Sequence, residues 1–299
     1  MEAWITLATN DSYARGALAL VESLRVSGTT RRVHCLITNE VSHAVRSQLE
    51  AQFDVVSVVD VFNSNDSENL SLIGRPDLGV TFTKLHCWRL TEYTKAVFLD
   101  ADTMVVANAD ELFDRPDFSA AADIGWPDMF NSGVFVFTPS LKVYRELLAL
   151  ATSTGSFDGG DQGLLNEYFA NWRDLSSAHR LPFIYNMTAG AFYTYAAAYK
   201  RYGSNTKIVH FIGSKKPWSP GSTGLHQNEH YTQWHNFHQQ SEHKQHQKQQ
   251  QMPSASVKTN LTFEAESQKQ AWEAGSPDYM GKDAFQFIQK ALTEALNDK

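Results

Sequence analysis

The sequence predicts an α/β fold: one domain with a mostly parallel central sheet, then a flexible linker and a short C-terminal helix. Three observations carry that reading. Strand-length apolar runs alternate with amphipathic stretches over residues 3–61, the pattern of a parallel sheet with helices on its faces. A hydrophobic fraction of 42% in 299 residues supplies a sizeable core. From 225 to 251, by contrast, 15 of 27 residues are glutamine or histidine, too little apolar surface to offset the entropy of ordering.

The elements follow in order. Residues 3–9 are an apolar run ending in Asn10-Asp11, a buried strand running into a helix start. Leu18, Val21 and Leu24 continue at helical spacing. Residues 32–38 read as a strand, 41–53 as a helix and 54–61 as a third strand. Residues 96–99 and 133–137 are further buried strands, 141–152 a helix and 207–211 a late strand. Near the C-terminus, Asp283 and Gln286 have the spacing of a capping box, and Phe285, Ile288, Leu292 and Leu296 share one helix face. That stripe has no core of its own and must dock on the domain or on a partner.

Composition excludes several classes. A net charge of −7 offers no general polyanion-binding surface, so nucleic acid is not an expected partner. Two cysteines, Cys35 and Cys87, exclude a disulfide scaffold and a cysteine-rich zinc site. No apolar run has membrane-spanning length. The N-terminus lacks the basic start and apolar stretch of a secretory leader, so the expected compartment is the cytoplasm. The irregular spacing of the histidines in 225–251 argues against a metal site there.

The chemistry concentrates in Ala96-Val-Phe-Leu-Asp-Ala-Asp-Thr-Met104. Four apolar residues deliver Asp100 and Asp102 to the end of a buried strand, where parallel sheets bind ligands. A turn after Asp100 lets both carboxylates converge on one hard cation, Mg²⁺ or Mn²⁺, bridging a diphosphate. Phosphatases of the haloacid-dehalogenase type also use Asp-x-Asp after a strand, with one aspartate as nucleophile. Their motif usually sits on the first strand and is followed by Thr or Val where this chain has Met104. A second acidic element, Phe157-Asp-Gly-Gly-Asp-Gln-Gly163, presents Asp158 and Asp161 on a glycine-rich loop. A third, Gly125-Trp-Pro-Asp-Met-Phe-Asn-Ser-Gly133, sets Asn131 and Ser132 beside aromatics, as a sugar face requires and as a packed loop also shows. His210 ends an apolar run and precedes Gly213 and Lys216, groups that suit phosphate.

Together these residues resemble the glycogenin family, retaining, self-glucosylating glycosyltransferases with the Rossmann-like GT-A nucleotide-sugar fold. The resemblance rests on Thr9-Asn-Asp-x-Tyr13, Thr83-Lys-Leu-His-Cys-Trp88, Phe98-Leu-Asp-Ala-Asp102, Phe130-Asn-Ser-Gly133 and Phe157-Asp-Gly-Gly-Asp-Gln-Gly163. Leu181-Pro-Phe-Ile-Tyr-Asn186, His210-Phe211 and Lys216-Pro-Trp218 continue it. It covers residues 3–218, and the stretch from Trp272 resembles the family's synthase-binding tail. It implies a transferase domain over 1–218, a linker over 219–265 and a glycogen-synthase-binding segment over 266–299.

The resemblance also implies roles. Asp100, Asp102 and His210 ligate Mn²⁺, with Ala101 between the aspartates. Leu7, Thr9, Asn10, Tyr13 and Arg75 hold the uridine end of UDP-glucose. Lys84, Asp123, Asn131, Ser132, Asp158, Asp161 and Gln162 surround the donor glucose, and Gly213 and Lys216 close on the diphosphate. Tyr195 matches the glucosylated tyrosine, with Tyr193 close beside it. Asp161, Lys84 and Tyr195 are the catalytic set. The expected reaction moves glucose from UDP-glucose to the enzyme's own tyrosine and extends a short α-1,4-glucan, in a homodimer. The alternatives are another nucleotide-sugar-dependent GT-A glycosyltransferase, an Asp100-dependent phosphatase and a non-catalytic scaffold that binds glycogen synthase.

Overall fold

Strands β1 (Glu2–Ala8), β2 (Arg32–Ile37) and β3 (Val55–Val58) alternate with helices α1 (Asp11–Val26) and α2 (His43–Glu50). The computed structural model describes residues 1–72, 76–190, 196–220 and 229–251. Sequence chemistry explains the helix starts. Asn10 has extended backbone, and its side chain accepts the Tyr13 N–H at 3.1 Å. Ser42 caps α2 through the Val45 N–H, and Ser140 caps α4 (Leu141–Ser153) through that of Val143. Past the end of α1, Gly28 supplies a positive φ of 85°.

The main sheet runs β3-β2-β1-β4-β7-β6-β8, with β4 at Lys95–Leu99, β6 at Ser119–Ala122, β7 at Phe130–Phe137 and β8 at Arg180–Leu181. β1 lies parallel to both β2 and β4, and β2 lies parallel to β3. β7 runs antiparallel to β4 and β6. The sheet is mixed but mostly parallel, as expected. Both faces are covered, so strand residues alternate between two apolar cores rather than between core and water. Trp4, Val97, Leu99, Val134 and Val136 face the α1–α2 core. Ile5, Phe98, Phe135 and Phe137 face a second core with Trp88 and Leu164.

A three-stranded sheet sits beside the first, in the order β5-β10-β9: β5 at Thr103–Val105, β9 at Met187–Thr188 and β10 at Ile208–His210. The remaining helices are α3 (Ser67–Leu72), α5 (Asp161–Tyr168), α6 (Ala196–Tyr202) and α7 (Glu229–Gln251).

Within the flexible linker expected at 219–265, residues 229–251 form helix α7. Tyr231, Trp234 and Phe237 recur every three residues and meet an apolar cluster containing Met104, Val209 and Phe211. Trp234 is only 1% exposed. Counting glutamines over the whole tract conceals a helical stripe whose burial offsets ordering. One compact unit accordingly runs from 1 to 247, past the boundary expected at 218. The second unit, 248–299, lies outside the described residues except for the end of α7, and so do the helix expected over 283–296 and the whole 266–299 segment.

Candidate active site

Asp100 follows β4 directly. Its N–H donates to the Gly133 carbonyl at 2.8 Å, and its own carbonyl accepts the Thr103 N–H at 2.9 Å. The resulting turn brings Asp100 and Asp102 to the same side, as anticipated. β10 then pairs with β5 so that His210 faces Thr103. One ligand atom from each of Asp100, Asp102 and His210 falls within 4.8 Å of the others. His210 Nε2 lies 3.2 Å from Asp102 Oδ1 and 4.0 Å from Asp100 Oδ2.

A relay of amides fixes the histidine. The Gly133 N–H donates to Asn131 Oδ1 at 2.9 Å, and Asn186 Nδ2 donates to the same oxygen at 2.9 Å. Asn186 Oδ1 therefore faces His210 Nδ1, at 2.9 Å, as an acceptor. With its proton on Nδ1, His210 keeps the Nε2 lone pair for a metal. Two carboxylates and one such imidazole are a fitting set for Mn²⁺. Glycine at 133 is required by space, since a Cβ there would stand 2.2 Å from His210 Cε1. Asn186 was not among the expected site residues. Its signal was only its place at the end of the Leu181–Asn186 motif.

Two lysines hold the acidic groups. Lys216 Nζ donates to Asp102 and, at 3.0 Å, to the Phe211 carbonyl. Burial pushes the Asp102 carboxyl up, but Lys216 and His210 outweigh it and hold the group well below the usual carboxylate range. Lys84 lies 2.9 Å from Asp100 Oδ1 and 2.5 Å from Asp161 Oδ2, and donates to the Ser132 carbonyl at 3.2 Å. Burial opposes its charge; Asp100 and Asp161 more than compensate and raise its pKa. The Asp100 carboxyl is shifted up, first by burial, with Asp102 and Asp161 adding to the rise against the pull of Lys84.

Asp161 opens α5. Its N–H donates to Thr81 Oγ1 at 3.0 Å, and Ser132 Oγ donates to its Oδ2 at 2.8 Å. Asp158 Oδ1 accepts from Ser156 Oγ and from the N–H groups of Gly160 and Gly163, so it organises the loop that presents Asp161. Asp123 Oδ2 accepts from Gln162 Nε2 at 2.5 Å and Asn131 Nδ2 at 3.2 Å, and Gln162 Oε1 accepts the Ser132 N–H at 3.2 Å.

A cleft of about 750 Å³ unites these groups. Of the expected residues, it is lined by Leu7, Thr9, Tyr13, Lys84, Asp100, Ala101, Asp102, Asp123, Asn131, Ser132, Asp158, Asp161, Gln162, His210, Gly213 and Lys216. Asn10 is not in the lining; it caps α1. Arg75, Tyr193 and Tyr195 lie outside the described residues. Leu78, Val80, Thr81, Ile124, Met129, Phe157 and Ile212 also line the cleft. They are mostly apolar; Phe157 and Met129 lie in motifs already singled out, and the others carry no motif that would distinguish them from core residues.

The model of glycosyl transferase family 8 matches residues 4–122 and 114–221. The chain belongs to glycosyl transferase family 8. Within family 8 it is 76% identical over 233 residues to Glycogenin-1 of Caenorhabditis elegans, covering 78% of this chain and 54% of that one. It is 55% identical over 218 residues to Glycogenin-1 of Homo sapiens, covering 73% and 62%. The chain thus spans between about half and two thirds of the length of the first curated relatives it matches. Among solved structures, an active-site mutant of LgtC superposes with a TM-score of 0.55 at 19% identity, over 79% of this chain and 95% of that one. The bifunctional WbbM reaches 0.57 at 19% identity, over 79% and 49%. These likenesses bear out the GT-A fold expected of a family 8 enzyme. Among the described residues, no helix is long and apolar enough to cross a membrane.

Proposed function

We propose that the chain is a retaining glucosyltransferase that moves glucose from UDP-glucose to its own Tyr195 and extends a short α-1,4-glucan. The observation that carries the reading is one cleft in which the Asp100–Asp102–His210 cluster, Lys216 and the Lys84–Asp161 pair all meet. Asp100, Asp102 and His210 would hold Mn²⁺, which when bound offsets the charge on the leaving diphosphate. Lys216 offers a further positive charge beside Asp102, and Gly213, with φ of 102°, allows the loop backbone to come close. Leu7, Thr9 and Tyr13 form the wall for the uridine end, with Arg75 as the further group the resemblance assigns there. Asp123, Asn131, Gln162 and Ser132 form a mutually oriented set of polar groups suited to glucose hydroxyls.

Retention needs either a covalent carboxylate intermediate or attack on the face of departure. Lys84 and Ser132 both contact Asp161 Oδ2. A carboxylate paired this closely is a weakened nucleophile, which favours same-face attack with Asp161 stabilising developing positive charge through Oδ1. The phosphatase reading has less support, because Asp100 follows the fourth strand rather than the first.

The working assembly we propose is a cytoplasmic homodimer that recruits glycogen synthase through 266–299. Intact mass spectrometry after incubation with UDP-glucose and Mn²⁺ tests the reaction. The expected result is a ladder of hexose additions that Tyr195→Phe abolishes, while that variant still glucosylates an added maltoside. Phosphate release from phosphate esters with no ladder would overturn the assignment. A ladder surviving in Tyr195→Phe would move the acceptor to another residue, Tyr193 first.

A further inference from the structure

We propose that α7 braces the loop at 211–219, and that Trp234 and Tyr231 are positioning residues for Lys216. The proposal rests on the nucleotide-sugar reading of the cleft. The loop carries Ile212, Gly213 and Lys216 into the cleft wall. At its start, Phe211 packs edge-on against Tyr231, with centroids 5.0 Å apart and planes at 77°. Near its end, Trp218 meets Trp234 at 5.6 Å and 39°. Tyr231 and Trp234 are three residues apart, so one face of α7 reaches both ends of the loop.

Trp218 is half-buried and makes further contacts with α1. Its Nε1 donates to Ser12 Oγ at 3.0 Å, and its ring meets Tyr13, a cleft residue, at 5.7 Å and 70°. Gly16 gives it room, since a Cβ there would stand 2.7 Å from the indole. Behind Trp234, His238 stacks at 5.1 Å and 18°. Farther along α7, Ser241 Oγ donates to Gln52 Oε1 at 2.9 Å, and Lys244 pairs with the buried Glu22 at 2.6 Å. These far-end contacts hold α7 next to α2 and on α1; they stabilise the helix but touch none of the residues that meet the loop.

The chemistry explains why a brace matters here. Lys216 has a long flexible side chain, and ordering it costs conformational entropy. Its backbone is held in a turn, with its N–H donating to Ser219 Oγ at 3.1 Å and its carbonyl accepting the Ser219 N–H at 2.9 Å. Phe211 gives its carbonyl to Lys216 Nζ and its N–H to the Asp102 carbonyl, at 3.0 and 2.9 Å. Movement at either end of the loop thus displaces the ammonium group relative to the acidic cluster. Trp234 Nε1 is buried without a hydrogen-bond partner among the described residues. Such a group costs stability, so the ring contributes through its packing, Trp218 included, and not through its N–H.

The test measures UDP affinity by calorimetry with Mn²⁺, KM and kcat for UDP-glucose, and melting temperature. It compares the unaltered chain with Trp234→Ala, Trp234→Phe and Lys244→Gln. We expect Trp234→Ala to weaken UDP binding and raise KM roughly 10- to 100-fold, the scale of a misplaced positioning group. Trp234→Phe should restore most of both. Lys244→Gln, at the far end of the same helix, should lower the melting temperature and leave UDP affinity unchanged. If Trp234→Ala does not fold, Tyr231→Leu makes the same comparison. Normal UDP affinity in a folded Trp234→Ala or Tyr231→Leu chain overturns the brace, as does an equal loss of affinity in Lys244→Gln. Failure of the unaltered chain to bind UDP overturns the nucleotide reading itself, and the brace with it.

Discussion

Asp102 is the residue on which most of the site's electrostatics converge, since Lys216 and His210 both contact its carboxylate. Replacing it with alanine removes one of the three proposed metal ligands and leaves Lys216 and His210 without their common partner. Loss of one preorganised electrostatic contact costs on the order of 10²-fold or more in rate. We expect Asp102→Ala to lose self-glucosylation by at least about that factor, and near-normal UDP-glucose turnover would refute the metal assignment. His34 makes a different kind of prediction. It is 1% exposed, between Tyr93 and Ser57, and burial lowers its pKa from 6.5 to about 4, against a small opposing pull from Glu92. The folded chain thus keeps His34 neutral where the unfolded chain protonates it. The unfolded state binds more protons between pH 6.5 and about 4, so stability is full above that window and falls as pH drops through it. Urea unfolding should show the unaltered chain losing about 2–3 kcal/mol more than His34→Gln between roughly pH 7 and pH 4.5. Parallel losses in the two proteins would mean that His34 titrates normally.

At the scale of elements, the site is a meeting of strand ends. β4 delivers Asp100, β7 delivers Asn131 to Gly133, β10 delivers His210, and the N-terminus of α5 delivers Asp161. The two sheets meet where Gly133 faces the His210 ring, and no side chain fits between them. Gly133→Ala should push the imidazole away from Asp102 and weaken Mn²⁺ binding by about 10-fold or more, the range seen when groups orienting metal ligands are altered. Mn²⁺ titration by calorimetry checks this, and unchanged affinity would show that the histidine has room to shift. Asp-x-Asp, the glycine-rich loop and His210 are each legible in the sequence because each lies in a short motif. Their convergence is not, because it depends on β10 returning beside β5 from more than 100 residues away. Thr81 and the role of Asn186 were missed for a related reason: a hydrogen bond across the fold leaves no local pattern.

At the scale of the molecule, the transferase unit and the C-terminal segment should be separable in function. The terminal apolar stripe Phe285, Ile288, Leu292 and Leu296 stands well beyond every cleft residue in the sequence. Burying such side chains in a partner groove gains roughly 1.5–3 kcal/mol each before ordering costs. Deleting residues 266–299 should leave self-glucosylation and melting temperature nearly unchanged and abolish stable binding to glycogen synthase. A pull-down and a melting curve on the truncated chain read both outcomes. Retained binding, or a lower melting temperature with lost activity, would place the helix on its own domain. Because α7 is a packed part of the transferase unit, a truncation meant to spare activity must end after it, and not at 218.

What the sequence alone determined is local. Period-two and period-3.6 apolar patterns select strands and helices, a side-chain cap starts a helix, and two aspartates after a buried run mark a cation site, because each depends on neighbours a few residues away. The tertiary structure alone decided that β7 runs antiparallel beside β4, that Asn186 orients His210, and that Lys84 joins Asp100 to Asp161. It also decided the fate of the glutamine- and histidine-rich tract. By composition that tract cannot order itself. Three aromatic residues at helical spacing change the balance only when Phe211 and Trp218 stand opposite them, and burial against a partner surface is a property of the fold rather than of the segment.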